Sequence, residues 1–92
     1  MNLLFRFLNG NKISWVCGLE SAECLEELHV AGQHLPVGTN LRFDEASIHG
    51  IKDSLRVLNA SDNGMTEDDM ETLLDLHRLQ KLSLANNQLK NM

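Results

Sequence analysis

The stretch "LQKLSLANNQL", residues 79–89, sets Leu79, Leu82, Leu84 and Leu89 around a single Asn87. The spacing is neither the alternation of a long half-buried strand nor the three-and-four rhythm of a helix. It describes a strand of a few residues with apolar residues on either side and an amide where the chain turns. Such a unit cannot bury its own apolar side and needs copies of itself as neighbours. Copies precede it. "LRVLNASDNGM", residues 55–65, repeats the pattern with Leu55, Leu58, Ala60, Asn63 and Met65. "CLEELHVAGQHL", residues 24–35, repeats it with Leu25, Leu28, Val30 and Leu35, and Gln33 takes the amide position. "LLFRFLNGNKI", residues 3–13, keeps Leu3, Leu8, Asn11 and Ile13 but has Arg6 where a leucine belongs.

This is the pattern of a leucine-rich repeat, and it predicts an α/β repeat fold: a solenoid with a short parallel sheet on its concave face. The copies start near residues 3, 25, 55 and 79, so the steps are 22, 30 and 24 residues. A 22-residue step leaves room only for helical or 3₁₀ segments on the convex face, such as residues 14–24. Asn11, Asn63 and Asn87 are expected to bond backbone groups of neighbouring turns that would otherwise be buried without partners. Gln33 can do the same with one more methylene. The longer second step holds an insert, residues 36–54, in which Pro36 and Gly38 read as extended loop. Asp44 there is placed to cap a helix with Ile48, Ile51 and Leu55 on one face. In "MTEDDMETLLDLHRL", Thr66 and Asp69 read as a capping box, with Met70, Leu73, Leu74 and His77 on one side of a helix. Residues 1–92 are read as part of a longer stack, since Met92 follows Leu89 before another coil can close.

Composition narrows the function. A formal net charge of -5 and scattered basic residues argue against a direct nucleic-acid footprint or an anionic membrane surface. Phe5, Phe7, Trp15 and Phe43 are the only aromatics, too few for a base-stacking platform. Cys17 and Cys24 are too few for a disulfide scaffold, lack zinc-site spacing, and read as reduced thiols of a cytoplasmic chain. "MNLLFRFL" is short for a signal peptide and is broken by Arg6. No apolar run is long enough to span a bilayer. His29, His34, His49 and His77 fall in different units with no pair at metal-ligand spacing. No nucleophile elbow or phosphate-binding glycine loop is present. The expectation is a protein without catalytic activity, metal or cofactor.

In this architecture a partner meets the residues that alternate with the inward leucines. The candidate partner-binding residues are Phe7, Glu27, His29, Asn59, Ser61, Lys81 and Ser83, centred on a row through Phe7, His29, Asn59 and Ser83. Leu25, Leu28, Val30, Leu55, Leu58, Asn63, Leu79, Leu82, Leu84, Asn87 and Leu89 are expected to be structural. "KISW" also fits the basic, aliphatic, any, aromatic motif that dock as an added strand on phosphatase 1, through Lys12, Ile13 and Trp15. Against docking, Ile13 closes the first copy and should be buried.

Residues 18–65, with "ELHV", "LPVG", "LRFD" and "SLRVLN" in that order, resemble the leucine-rich repeat regulatory subunits of protein phosphatase 1. The resemblance reaches from about Leu8 to Leu89; Arg6 departs from it. It implies an intracellular scaffold that binds the phosphatase catalytic subunit and microtubule-associated proteins at the centrosome or other microtubule-organising structures. An alternative from the same repeat class is a scaffold of a spliceosomal ribonucleoprotein or of an axonemal dynein complex.

Overall fold

The computed structural model describes residues 4–36 and 38–87. Leu3 and Leu89, two of the residues in the repeat pattern, lie outside them. Among the described residues nine short elements follow one another: β1 (Phe5–Phe7), β2 (Trp15–Val16), β3 (Glu27–His29), β4 (Arg42–Phe43), α1 (Glu45–Ile51), β5 (Val57–Asn59), α2 (Glu67–Glu71), a 3₁₀ turn (Thr72–Asp75) and β6 (Lys81–Ser83). Strands β1, β3, β5 and β6 form one parallel sheet in that order, and β2 and β4 form a second.

Each strand of the larger sheet is three residues long, with its middle residue on the inner side. Arg6, Leu28, Leu58 and Leu82 stand side by side in register. Leu28 and Leu58 are fully buried, whereas Leu82 is 45% exposed. Leu82 faces the same inner side as the two buried leucines but is less covered, because β6 is the edge of the described sheet, with a neighbour on one side only. Leu79 is half-buried for the same reason, while Leu84 is tucked under the sheet. One bonding pattern recurs at every junction. The carbonyl of Leu4 accepts from the amides of Glu26 and Glu27, that of Glu26 from Arg56 and Val57, and that of Arg56 from Gln80 and Lys81.

The turns after the strands are also alike. The residue just before each amide side chain has a positive φ: Gly10 at 74°, Gly32 at 62°, Asp62 at 60° and Asn86 at 59°. Glycine, aspartate and asparagine are the residue types that tolerate this left-handed backbone at least cost. The turn aims the next side chain inward. Asn63 donates through Nδ2 to the carbonyls of Val30 (2.9 Å) and Ala60 (3.0 Å) and accepts at Oδ1 from the amide of Gln33 (2.9 Å). Asn87 donates to Ala60 and Leu84 (both 3.0 Å) and accepts from the amides of Asn63 (2.9 Å) and Met65 (3.0 Å). Gln33, with its extra methylene, donates to Leu8 (2.7 Å) and Val30 (3.0 Å) and accepts from the amide of Ile13 (2.9 Å). Asn11 reaches only its own turn, donating to Leu8. The amides thus tie each turn to the one before it, and no buried side-chain polar atom among the described residues lacks a partner.

Beneath the sheet lies one core, built from Leu25, Leu28, Val30, Leu55, Leu58 and Ala60 together with side chains of the back segments. The back departs from expectation in two places. Residues 14–24 are not helical: Trp15–Val16 is a strand followed by turns, because it pairs with Arg42–Phe43 of the insert. The second helical segment stops being α after Glu71 and tightens to 3₁₀. In a 3₁₀ turn, residues three apart eclipse, so Leu73 and Leu76 are buried while Leu74 is turned out, 78% exposed. Leu74 and His77 therefore do not share the buried side with Met70 and Leu73.

The insert packs tightly. Ile48 and Ile51 of α1 and Leu55 after it are fully buried. Asp44 precedes the helix, but its side chain caps nothing. Buried Ser47 instead accepts from the amide of Leu19 (3.0 Å) and donates to the Glu20 carboxylate (2.9 Å), which holds the Glu20 pKa below its ordinary value. Gly50 lies against the same segment so closely that a Cβ would come 2.5 Å from the Glu20 carbonyl oxygen. Thr66 and Asp69 form the expected capping box, and the Asp69 carboxylate accepts from the Thr66 amide (3.0 Å) and hydroxyl (3.2 Å). Among the described residues no helix is long and apolar enough to cross a membrane.

Two stability predictions follow from these contacts. Asn63→Ala strands the Gln33 amide in the interior and takes one of two donors from each of the Val30 and Ala60 carbonyls, so it should cost about 2 kcal/mol, against under about 1 kcal/mol for exposed Asn11→Ala; urea unfolding of both variants measures the gap. Gly50→Ala should cost about 2 kcal/mol by overpacking against backbone that cannot yield, and an unchanged unfolding midpoint would refute that close approach.

Candidate functional site

The outward side of the four-stranded sheet carries most of the candidate residues. The register places Phe7 beside His29, His29 beside Asn59, and Asn59 beside Ser83. With parallel strands about 4.8 Å apart, the row spans roughly 14 Å. It is a rigid array, because every member stands on a strand bonded to its neighbour.

One end of the row is aromatic. The rings of Phe7 and His29 stack at 4.7 Å and 11°, and Phe5 stacks on Phe7 at 6.4 Å and 23°. Phe7 is 68% exposed despite this. Glu27, one pleat away, brings its Oε1 to 3.1 Å from Nε2 of His29. That contact and the Phe7 stack together hold the plane of the His29 ring. Val57 and Asn59 are half-buried, and Lys81 and Ser83 are exposed. The row thus runs from stacked rings with a carboxylate to an amide, a hydroxyl and an ammonium group. Such a surface can seat an apolar side chain at one end and bond backbone groups of a partner at the other.

Ser61 does not belong to this surface. It is only 8% exposed, and its Oγ lies 2.7 Å from Oγ of Ser83. The alternation of inner and outer residues ends at Asn59, where the strand ends, and the chain has begun its inward turn by Ser61. Ser61 supports Ser83 rather than meeting a partner.

The Lys12, Ile13, Trp15 motif is built into the fold. Ile13 is half-buried against the core, and its amide donates to Gln33. The Ser14 carbonyl accepts from the Arg42 amide at 2.8 Å, and Trp15 pairs with Arg42 in β2. Adding Lys12–Trp15 to another protein's sheet would require Ile13 to leave the core and its amide to leave Gln33. The histidines stay apart: His77 pairs with Asp53 (2.9 Å), and no cluster suited to a metal ion occurs among the described residues.

One arrangement has no signal in the sequence. Asp69, read only as a helix-cap residue, also accepts from the Asn40 side-chain amide and faces Nε of Arg42 at 3.5 Å. It thereby joins the insert to the third unit. The exposed ring of Trp15 lies beside Arg42, above an open cleft lined also by Ser14, Asn40, Asp44 and Glu45. Only pairing of residues far apart in the chain creates it.

Because Phe7 and Lys81 project from the sheet without filling the core, Phe7→Ala and Lys81→Ala should change unfolding free energy by no more than about 0.5 kcal/mol; a loss several times larger in thermal unfolding would make Phe7 a packing residue. No protein-family model matches the chain, and no solved structure matches it.

Proposed function

We propose that this chain is a leucine-rich repeat solenoid acting as a non-enzymatic scaffold, with a protein partner seated across the row Phe7, His29, Asn59 and Ser83. One observation carries the reading: four strands present these side chains in a single register, and the row begins with a phenylalanine left in water on a stacked base. An exposed aromatic on a rigid support is the usual anchor of a protein interface. Glu27 and Lys81 flank the row and would set the partner's orientation by charge.

For the partner, the resemblance of residues 18–65 favours the catalytic subunit of protein phosphatase 1, in the manner of protein phosphatase 1 regulatory subunit 42, together with microtubule-associated proteins. The place of action would be the cytoplasm, at the centrosome and related cytoskeletal structures. A pull-down of purified phosphatase catalytic subunit by the intact chain tests this. Retention should fall at least about tenfold in the Phe7→Ala/His29→Ala variant, as loss of an interface anchor predicts. If the intact chain retains no phosphatase, the choice of partner is wrong. If both proteins retain it equally, the row is not the contact.

A further inference from the structure

We infer that the second sheet and the helical segments beside it form a separate docking surface for an extended basic peptide of a partner protein, with an apolar residue of that peptide against Trp15. The surface is independent of the Phe7 row and lies on different strands.

Trp15 is 60% exposed, although the next residue, Val16, is buried in the core. Its strand is held by β4, with the Ser14 carbonyl bonded to the Arg42 amide (2.8 Å) and the Val16 carbonyl to the Asp44 amide (2.9 Å). The ring is therefore offered from fixed backbone. It borders the cleft of about 780 Å³ described above. An indole presents both an apolar face and an N–H donor, which suits an apolar side chain followed by a peptide carbonyl.

Charge decides what must follow the apolar residue. Arg42 is the one cation among the described residues lining the cleft, and although its side chain is 72% exposed it faces the carboxylate of buried Asp69. Asp44 and Glu45 line the same cleft. Glu45 also borders a second depression, whose other lining residues are Asp68, Glu71, Thr72 and Asp75. The two depressions thus meet at Glu45, and the second has carboxylates and a hydroxyl along it with no cation among its lining residues.

Helix capping accounts for only part of this acidity. Asp68 sits in the first turn of α2, where the helix dipole favours a negative charge. Glu71 lies in the middle of the continuous helical run, where the dipole gives a negative charge no advantage, and Asp75 ends the 3₁₀ turn, where the dipole opposes one. Carboxylates that helix capping does not call for, beside a rigid exposed indole, complement a chain bearing lysine or arginine. The occupant is thus an extended segment with an apolar anchor followed by several basic residues. Its attraction to the trough should be strongly screened by salt.

Trp15 is the only tryptophan of the chain, so binding can be read from its emission. The test titrates the full chain with the capped peptide Leu-Pro-Lys-Arg-Lys and with a control in which glutamate replaces each basic residue. The basic peptide should give a saturable change in emission at low salt, and the acidic one none. Affinity should drop at least about tenfold when salt rises from about 0.02 to about 0.3 M, as screening of several exposed charges requires. The Glu71→Gln/Asp75→Asn variant should lose a similar factor, while Phe7→Ala/His29→Ala should bind as the unaltered chain does. A silent Trp15 up to about 1 mM peptide, the limit of weak binding, would overturn the inference. So would unchanged affinity in the Glu71/Asp75 variant, or lost affinity in the Phe7/His29 variant, which would place the peptide on the row instead. Circular dichroism of each variant separates loss of the site from loss of the fold.

Discussion

Burying a backbone turn is possible only if its carbonyls and amides find partners, and here three side-chain amides meet that demand. Apolar burial drives these coils together but does not say how they align, since it is non-directional. Gln33, Asn63 and Asn87 add direction. Asn63 and Asn87 each hold a carbonyl of their own turn and a carbonyl and an amide of the turn before. A slip of one residue between coils would break several of these bonds at once. The amides therefore set the register that the leucines only permit, and the sheet inherits it.

That register has a consequence at the second coil, which is longer than its neighbours yet keeps its strand and amide turn in line with them. The surplus is absorbed at the back. β4 pairs with β2, α1 lies on residues 19–20 where Gly50 allows backbone contact, and Asp69 ties Asn40 and Arg42 to the next coil. The insert is consequently held from both sides. Its tight packing also fixes Trp15, which would otherwise sit on a free loop, as part of a defined surface.

What could be read from the sequence was what depends on short spacing. The leucines 25, 28, 55 and 58, the amides at 33, 63 and 87, and the Thr66–Asp69 cap all act within their own coil or on an adjacent one at a fixed step. The outward row could be read for the same reason, because alternation in a strand is local. Ser61 was misplaced by extending that alternation past the end of the strand. Leu74 was misplaced by assuming 3.6 residues per turn where the chain tightens to three. The β2–β4 pair could not be read at all: two-residue strands carry no period, and their pairing depends on how the intervening coil folds. The same holds for the second role of Asp69, whose partners lie in another unit.

The division of labour between the two sides of each strand bears on what the outer row can be for. Inner residues and amides carry the packing and the bonding, so the outer positions are free to vary at little cost to stability. Phe5 and Phe7 nevertheless occupy two of them, and His29 completes a stack whose members fill no core. Solvated apolar rings are unfavourable in water, and folding alone does not require them at these positions. Lys81 and Ser83 at the far end show that polar residues serve equally well on the same strands. The aromatic end of the row is therefore a feature that the packing of the fold does not account for.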